Sequence, residues 1–218
     1  MKITILYYTS NQEGNKFEER VKQNILKVKK DIPIISVSQK PIDFGHNICV
    51  GEHGASGFNM FRQVQIGLRK VKTPFVVSAE ADCLYPPKYF THIPRKLDVA
   101  YRSWNTYVMP QWRAFFFHKY MGATHSQVVG TKYYLNRLNK LFEGAPDWST
   151  KEKNFPKERT GMEDVFDEVI LYKSRYPVVQ IKTTRSMRHY TFSDRTPVLE
   201  LPHWGDGKEF RKKYYGDE

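Results

Sequence analysis

The sequence predicts an α/β fold with a mostly parallel central sheet flanked by helices. Three observations carry this. Residues 3–8, 15–30 and 33–38 read as strand, helix and strand at the spacing of a βαβ unit. A second helical pattern over 58–71 runs into a short apolar stretch led in by Thr73 and Pro74. That stretch, from Phe75, ends in Glu80 and Asp82, and Pro86 and Pro87 then stop regular structure. Ligands of open α/β sheets bind beyond the carboxyl ends of the strands, so the acid pair marks the expected crevice.

Each element has its own signal. The first strand, Ile-Thr-Ile-Leu-Tyr-Tyr, gives way to the polar turn Thr9, Ser10 and Asn11, which should face the same crevice as Asp82. In the first helix Phe17, Val21, Ile25 and Val28 fall on one face. Asn15 is placed to cap it, with Glu18 three residues on as the capping-box partner. Residues 39–57 hold Gly45, Gly51, Gly54 and Gly57, with His46, Cys49 and His53 lacking any zinc spacing. They read as an irregular loop whose backbone can approach a ligand. In the second helix Phe58, Phe61, Val64, Leu68 and Val71 form the apolar stripe, with Arg62 and Gln63 between them.

Further on, residues 97–101 read as a short strand within an aromatic-rich region. Residues 128–131 read as another, before a helix carrying Leu135, Leu138 and Leu141. Residues 144–159 form a long, polar, basic loop. Met162, Val165, Phe166, Val169 and Ile170 predict a helix opened by a capping box of Thr160 and Glu163, which leaves Asp164 without a structural task. An apolar run follows at 178–181, and a basic helical piece at 209–215.

The chain of 218 residues suffices for one domain with a real core, and 40% hydrophobic with 15% aromatic residues excludes a disordered chain. The net charge of +12 favours a polyanionic partner: nucleic acid, an anionic membrane surface or a phosphorylated substrate. No run reaches the length of a membrane span, the opening residues carry no signal-peptide pattern, and two cysteines make no disulfide framework; a cytoplasmic location is expected.

Carboxylates at i and i+2 of an extended segment point the same way, so Glu80 and Asp82 could share one hard cation such as magnesium or manganese. A strand ending in an acid-x-Asp pair, here Glu80-Ala81-Asp82, resembles the metal-binding motif of GT-A glycosyltransferases. The glycine-containing loop and the helix before that strand are similar to those of the family-2 type. The resemblance implies a GT-A-type, Rossmann-like fold in one domain, residues 1–100 binding the nucleotide sugar and 101–218 the acceptor. It implies manganese or magnesium at Asp82, with His203 or His189 from late in the chain as a further ligand. A nucleotide diphosphate sugar, UDP-linked first, would lie against Thr9, Ser10, Asn11, Arg62, Gln63 and Glu80.

The Glu163-Asp164 pair at a helix start resembles that of inverting members, where one carboxylate is the general base; the resemblance gives that role to Asp164, with Glu163 beside it. The small size, the run from Glu80 to Pro86 and the His203-Trp204-Gly205 segment also look like compact phage-encoded glycosyltransferases acting on hydroxymethylated pyrimidines in DNA. That implies a DNA acceptor in a phage-infected host cytoplasm, contacted by Lys151, Lys153, Lys157, Arg159, Arg185 and Arg188. Two other readings stay open: the same chemistry on a surface glycan or lipid-linked sugar, and a non-catalytic basic nucleic-acid-binding module.

Overall fold

The computed structural model describes residues 2–120, 122–151, 165–186 and 195–216. The first half runs β1 (Ile3–Thr9), α1 (Asn15–Val28), β2 (Ile34–Ser38), β3 (His46–Cys49), α2 (Gly57–Leu68), β4 (Phe75–Glu80) and β5 (Cys83–Leu84). The second half adds β6 (Ala100–Ser103), β7 (Thr106–Pro110), β8 (Phe116–His118), β9 (Gln127–Gly130), α3 (Thr131–Leu141), β10 (Val169–Tyr172), β11 (Val178–Lys182) and β12 (Pro197–Val198). The small hairpin of β13 (Glu200–Leu201) and β14 (Gly205–Asp206) leads into α4 (Gly207–Tyr214).

The central sheet has seven strands in the order β10-β6-β9-β4-β1-β2-β3. All are parallel except β9, which runs antiparallel between β4 and β6. A five-stranded sheet, β12-β8-β7-β11-β5, packs beside it. The alternation along β1 divides the core: Ile3, Ile5 and Tyr7 join α1, α4 and the small sheet, while Leu6 and Tyr8 join α2 and α3. Both faces of the large sheet are therefore covered, which explains the unbroken apolar reading of β1 and β4.

Three local expectations are corrected. Glu18 does not close a capping box: Gly14 is the N-cap, and the buried Glu18 carboxylate accepts from Tyr7 Oη at 2.8 Å. The glycine-rich stretch contains the edge strand β3, paired with β2. The helix expected to run through Val169 and Ile170 does not do so; these residues form β10 beside β6, because an edge position can be filled by a β-branched run as readily as a helical face.

Gly130 ends β9 where a Cβ would overlap the Leu97 carbonyl. Gly130→Ala is expected to cost about 2–3 kcal/mol through a backbone clash that no side-chain movement relieves. Urea denaturation checks this, and a loss under about 0.5 kcal/mol would refute the close approach.

Candidate active site

Glu80 is the last residue of β4, in register with Tyr8 of β1, whose Oη donates to Glu80 Oε1 at 2.8 Å. The chain then turns through Ala81 and Asp82 into β5, which pairs with β11. Asp82 is fastened to β11 on both sides of its peptide. Its carbonyl accepts from Ile181 N at 2.8 Å; its Oδ2 accepts from Gln180 Nε2 at 2.8 Å and lies 3.5 Å from Lys182 Nζ. The strand stops at Glu80, so Asp82 lies in the turn that follows it. The two carboxylates take separate partners yet still act on one another. Burial, then the charge of Asp82, pushes the Glu80 carboxyl up to about 7, against the pull of Tyr8, Lys182 and Lys119.

A histidine that sequence reasoning missed completes this cluster. His125 sits in the short turn before β9, 2% exposed. One phenol fixes it to Glu80: Tyr85 Oη accepts from Glu80 N at 2.9 Å and donates to His125 O at 3.0 Å. Ligand atoms of Glu80, Cys83 and His125 lie within 4.8 Å of one another. Burial, then the positive charges of Lys119, Lys182 and Arg102, holds the imidazole well below its usual pKa, hence neutral. Its Nε2 and the Oε1 of Gln180 are buried without a hydrogen-bond partner. With the Glu80 carboxylate, these buried polar atoms without partners offer oxygen and nitrogen ligand atoms to a divalent cation. The Cys83 thiol is pushed up by burial, then by Asp82 and Glu80; it donates to Asp82 Oδ1 at 3.1 Å.

Glu13, in the loop after β1, was also missed. Its Oε2 accepts from Thr183 Oγ1 at 2.8 Å, and burial, then the charge of Asp82, pushes its carboxyl up to about 7. A cavity of about 420 Å³ opens beside it, lined by Lys16, Thr183, Thr184, Arg185 and Tyr215 among others. Arg185 crosses its mouth, donating to Gln12 O at 3.2 Å.

The remaining expected residues divide. Thr9 and Asn11 stand at the end of β1, but their polar groups are committed: Asn11 Oδ1 accepts from Gln39 N and Lys40 N, and Thr9 Oγ1 from Asn11 N. Ser10 is half-buried beside them. Gln63 has its buried Nε2 donating to the carbonyls of Thr9 and Val37, which ties α2 to two strand ends. Arg62 is likewise held by the carbonyls of Pro146 and Asp147 and lies 3.9 Å from the Phe142 ring centroid.

His203 is outside the group of Glu80, Cys83 and His125. It packs on Tyr176 and Trp204, and burial, then the charges of Lys213 and Lys27, lowers its pKa. Lys27 lies in the last turn of α1, which carries the chain about 20 Å back from the crevice end of β1. Lys151 is exposed near the stacked rings of His53 and Trp148. Glu163, Asp164, Lys153, Lys157, Arg159, Arg188 and His189 lie outside the described residues; the described chain resumes at Val165 and Phe166, both buried.

No protein-family model and no curated protein matches the chain. Among solved structures, a glycosyltransferase involved in the glycosylation of the major capsid of PBCV-1 overlaps at TM-score 0.49 and 12% identity, over 79% of this chain and 82% of that one. TarS 1-349 of S. aureus does so at 0.49 and 9%, over 83% of this chain and 60% of that one. The mannosyltransferase PcManGT from Pyrobaculum calidifontis, in complex with GDP-Man and Mn2+, gives 0.46 and 14%, over 87% and 58%. The chain thus spans less than two thirds of the last two. Overlaps of this depth assign nothing to it, and function has to be read from its own residues.

Proposed function

We propose that the chain is a metal-dependent GT-A-type glycosyltransferase that moves a sugar, with inversion, from a nucleoside diphosphate to a hydroxyl acceptor. One observation supports this most. Ligand atoms of Glu80 and His125 come together at the carboxyl end of the central strand β4, and Asp82, bonded to Gln180, follows Glu80 by two residues, where a diphosphate and its cation would need them. Asp82, Glu80 and His125 are the residues that would hold manganese, which offsets charge on a departing diphosphate. Lys182, already beside Asp82, stands where it can neutralise either the carboxylate or a phosphate oxygen. Residues 1–100 would bind the donor and 101–218 the acceptor.

Asp164 would take the acceptor's proton as the hydroxyl oxygen attacks the anomeric carbon, opposite the leaving group. For the acceptor we propose a hydroxymethylated pyrimidine in DNA, which the +12 charge favours over a neutral glycan. UDP is the first donor to try.

Incubation with manganese, several nucleotide sugars and hydroxymethylated DNA, followed by nucleoside masses, tests the whole reading. If no nucleoside diphosphate binds with manganese present, it fails. Asp164→Asn should retain donor binding while turnover falls by about two to four orders of magnitude. Near-normal turnover in that variant, with loss in Glu13→Gln, would move the base role to Glu13.

A further inference from the structure

No Asp or Glu occurs between Asp98 and Glu143, a stretch rich in aromatic residues whose only charged side chains are Lys and Arg. The strands of the small sheet, β5, β7, β8, β11 and β12, contain no acid either. The fold gathers part of this composition on one surface. His118, at the end of β8, is a hub. Its ring meets Trp104 at 5.8 Å, Tyr107 at 5.0 Å and Tyr120 at 5.0 Å, each edge to face, and its Nε2 lies 2.9 Å from Trp104 O. Trp104 is 37% exposed and Tyr120 66%. Lys173 Nζ stands 5.1 Å from the Trp104 ring centroid.

We propose that this aromatic surface is a docking platform for single-stranded nucleic acid. Exposed rings braced by one another, with the Lys173 ammonium on one of them, match the two things a single strand offers: base faces to stack and phosphates to neutralise. A duplex hides its base faces. A neutral glycan is held by carboxylates beside the ring, and the strands that carry this platform have none. A lipid surface favours an aliphatic patch, and here the exposed groups are rings with polar edges.

The position suits an acceptor. β7 pairs with β11, whose Gln180 and Lys182 reach Asp82, and Lys119, between His118 and Tyr120, acts electrostatically on both Glu80 and His125. The platform bears on the acceptor of the proposed reaction but does not depend on it, because rings stack bases whether or not sugar is transferred.

The test is an anisotropy titration of a labelled oligothymidylate at several salt concentrations, with tryptophan quenching read in parallel. Binding should weaken with salt and quench fluorescence. Replacing both rings, as Trp104→Ala with Tyr120→Ala, should weaken it by about 30-fold or more with little change in salt slope. Lys173→Ala should reduce the slope by about 0.7. Trp104→Phe should keep most of the affinity, which separates stacking from misfolding, and a melting curve checks each variant. Three results would overturn the platform: equal affinity in the double variant, duplex bound as tightly as single strand, or binding to anionic vesicles without binding to the oligonucleotide. None of them touches manganese-dependent nucleotide binding, so the transfer reading stands or falls separately.

Discussion

Asp82→Asn should lose at least about 100-fold in manganese-dependent affinity for a nucleoside diphosphate while the protein stays folded. The change removes the charge and little else. An amide keeps the shape of the side chain, and its oxygen can still accept from Gln180 Nε2. What goes is the anionic lone pair that a cation needs. Asparagine is more informative than alanine here, because Asp82 is only 13% exposed and alanine would empty a buried position and strand Gln180 Nε2 without its acceptor. Calorimetric titration of UDP with and without manganese decides it. Unchanged affinity would take Asp82 out of the metal site, and equal affinity with and without manganese in wild type would remove the metal from the reading.

Glu80→Gln should do two opposite things. Without metal it should stabilise the protein at alkaline pH; with metal it should weaken it relative to wild type. The folded state raises this carboxyl from 4.5 to about 7, so it holds a proton that the unfolded chain releases. Below about pH 4.5 both states are protonated and glutamic acid costs nothing. Between 4.5 and 7 the native state loses ground, and above 7 the full penalty applies. Glutamine escapes it and can still accept from Tyr8 Oη. The stability gap should therefore grow from near zero at pH 4 to on the order of 2 kcal/mol at pH 8. Saturating manganese should reverse the sign, since only wild type gains the binding energy of a full donor set. Urea denaturation at both pH values, each with and without manganese, measures all four terms. A gap independent of pH would show that Glu80 is not a strained carboxylate. A protein that keeps such an acid when an amide is less costly is keeping it for its charge.

The frame of the site was legible because strands and helices announce themselves locally. The apolar run before Glu80, the periodic stripe of α2 and the strand-helix-strand opening all carry their signal within a dozen residues. His125 carried none. It lies among aromatics, with no acid near it in sequence, and joins Glu80 only because β9 folds back antiparallel against β4 and brings the preceding turn over the strand end. Gln63 and Asn11 show the opposite case. Both are polar and both lie at the crevice, but their groups close backbone hydrogen bonds. A sequence does not distinguish a satisfied amide from one awaiting a ligand. Val169 and Ile170 kept a helical spacing from Val165 and Phe166, yet they pair as an edge strand.

The single reversed strand also sets a timetable for synthesis. β1 to β4 leave the ribosome in order and can pair as they emerge, but the far side of β4 is filled by β9, which starts nearly fifty residues after β4 ends. At about 5–20 residues per second, that edge stands open for roughly 2–10 s, with Val76 and Val77 on an unprotected strand.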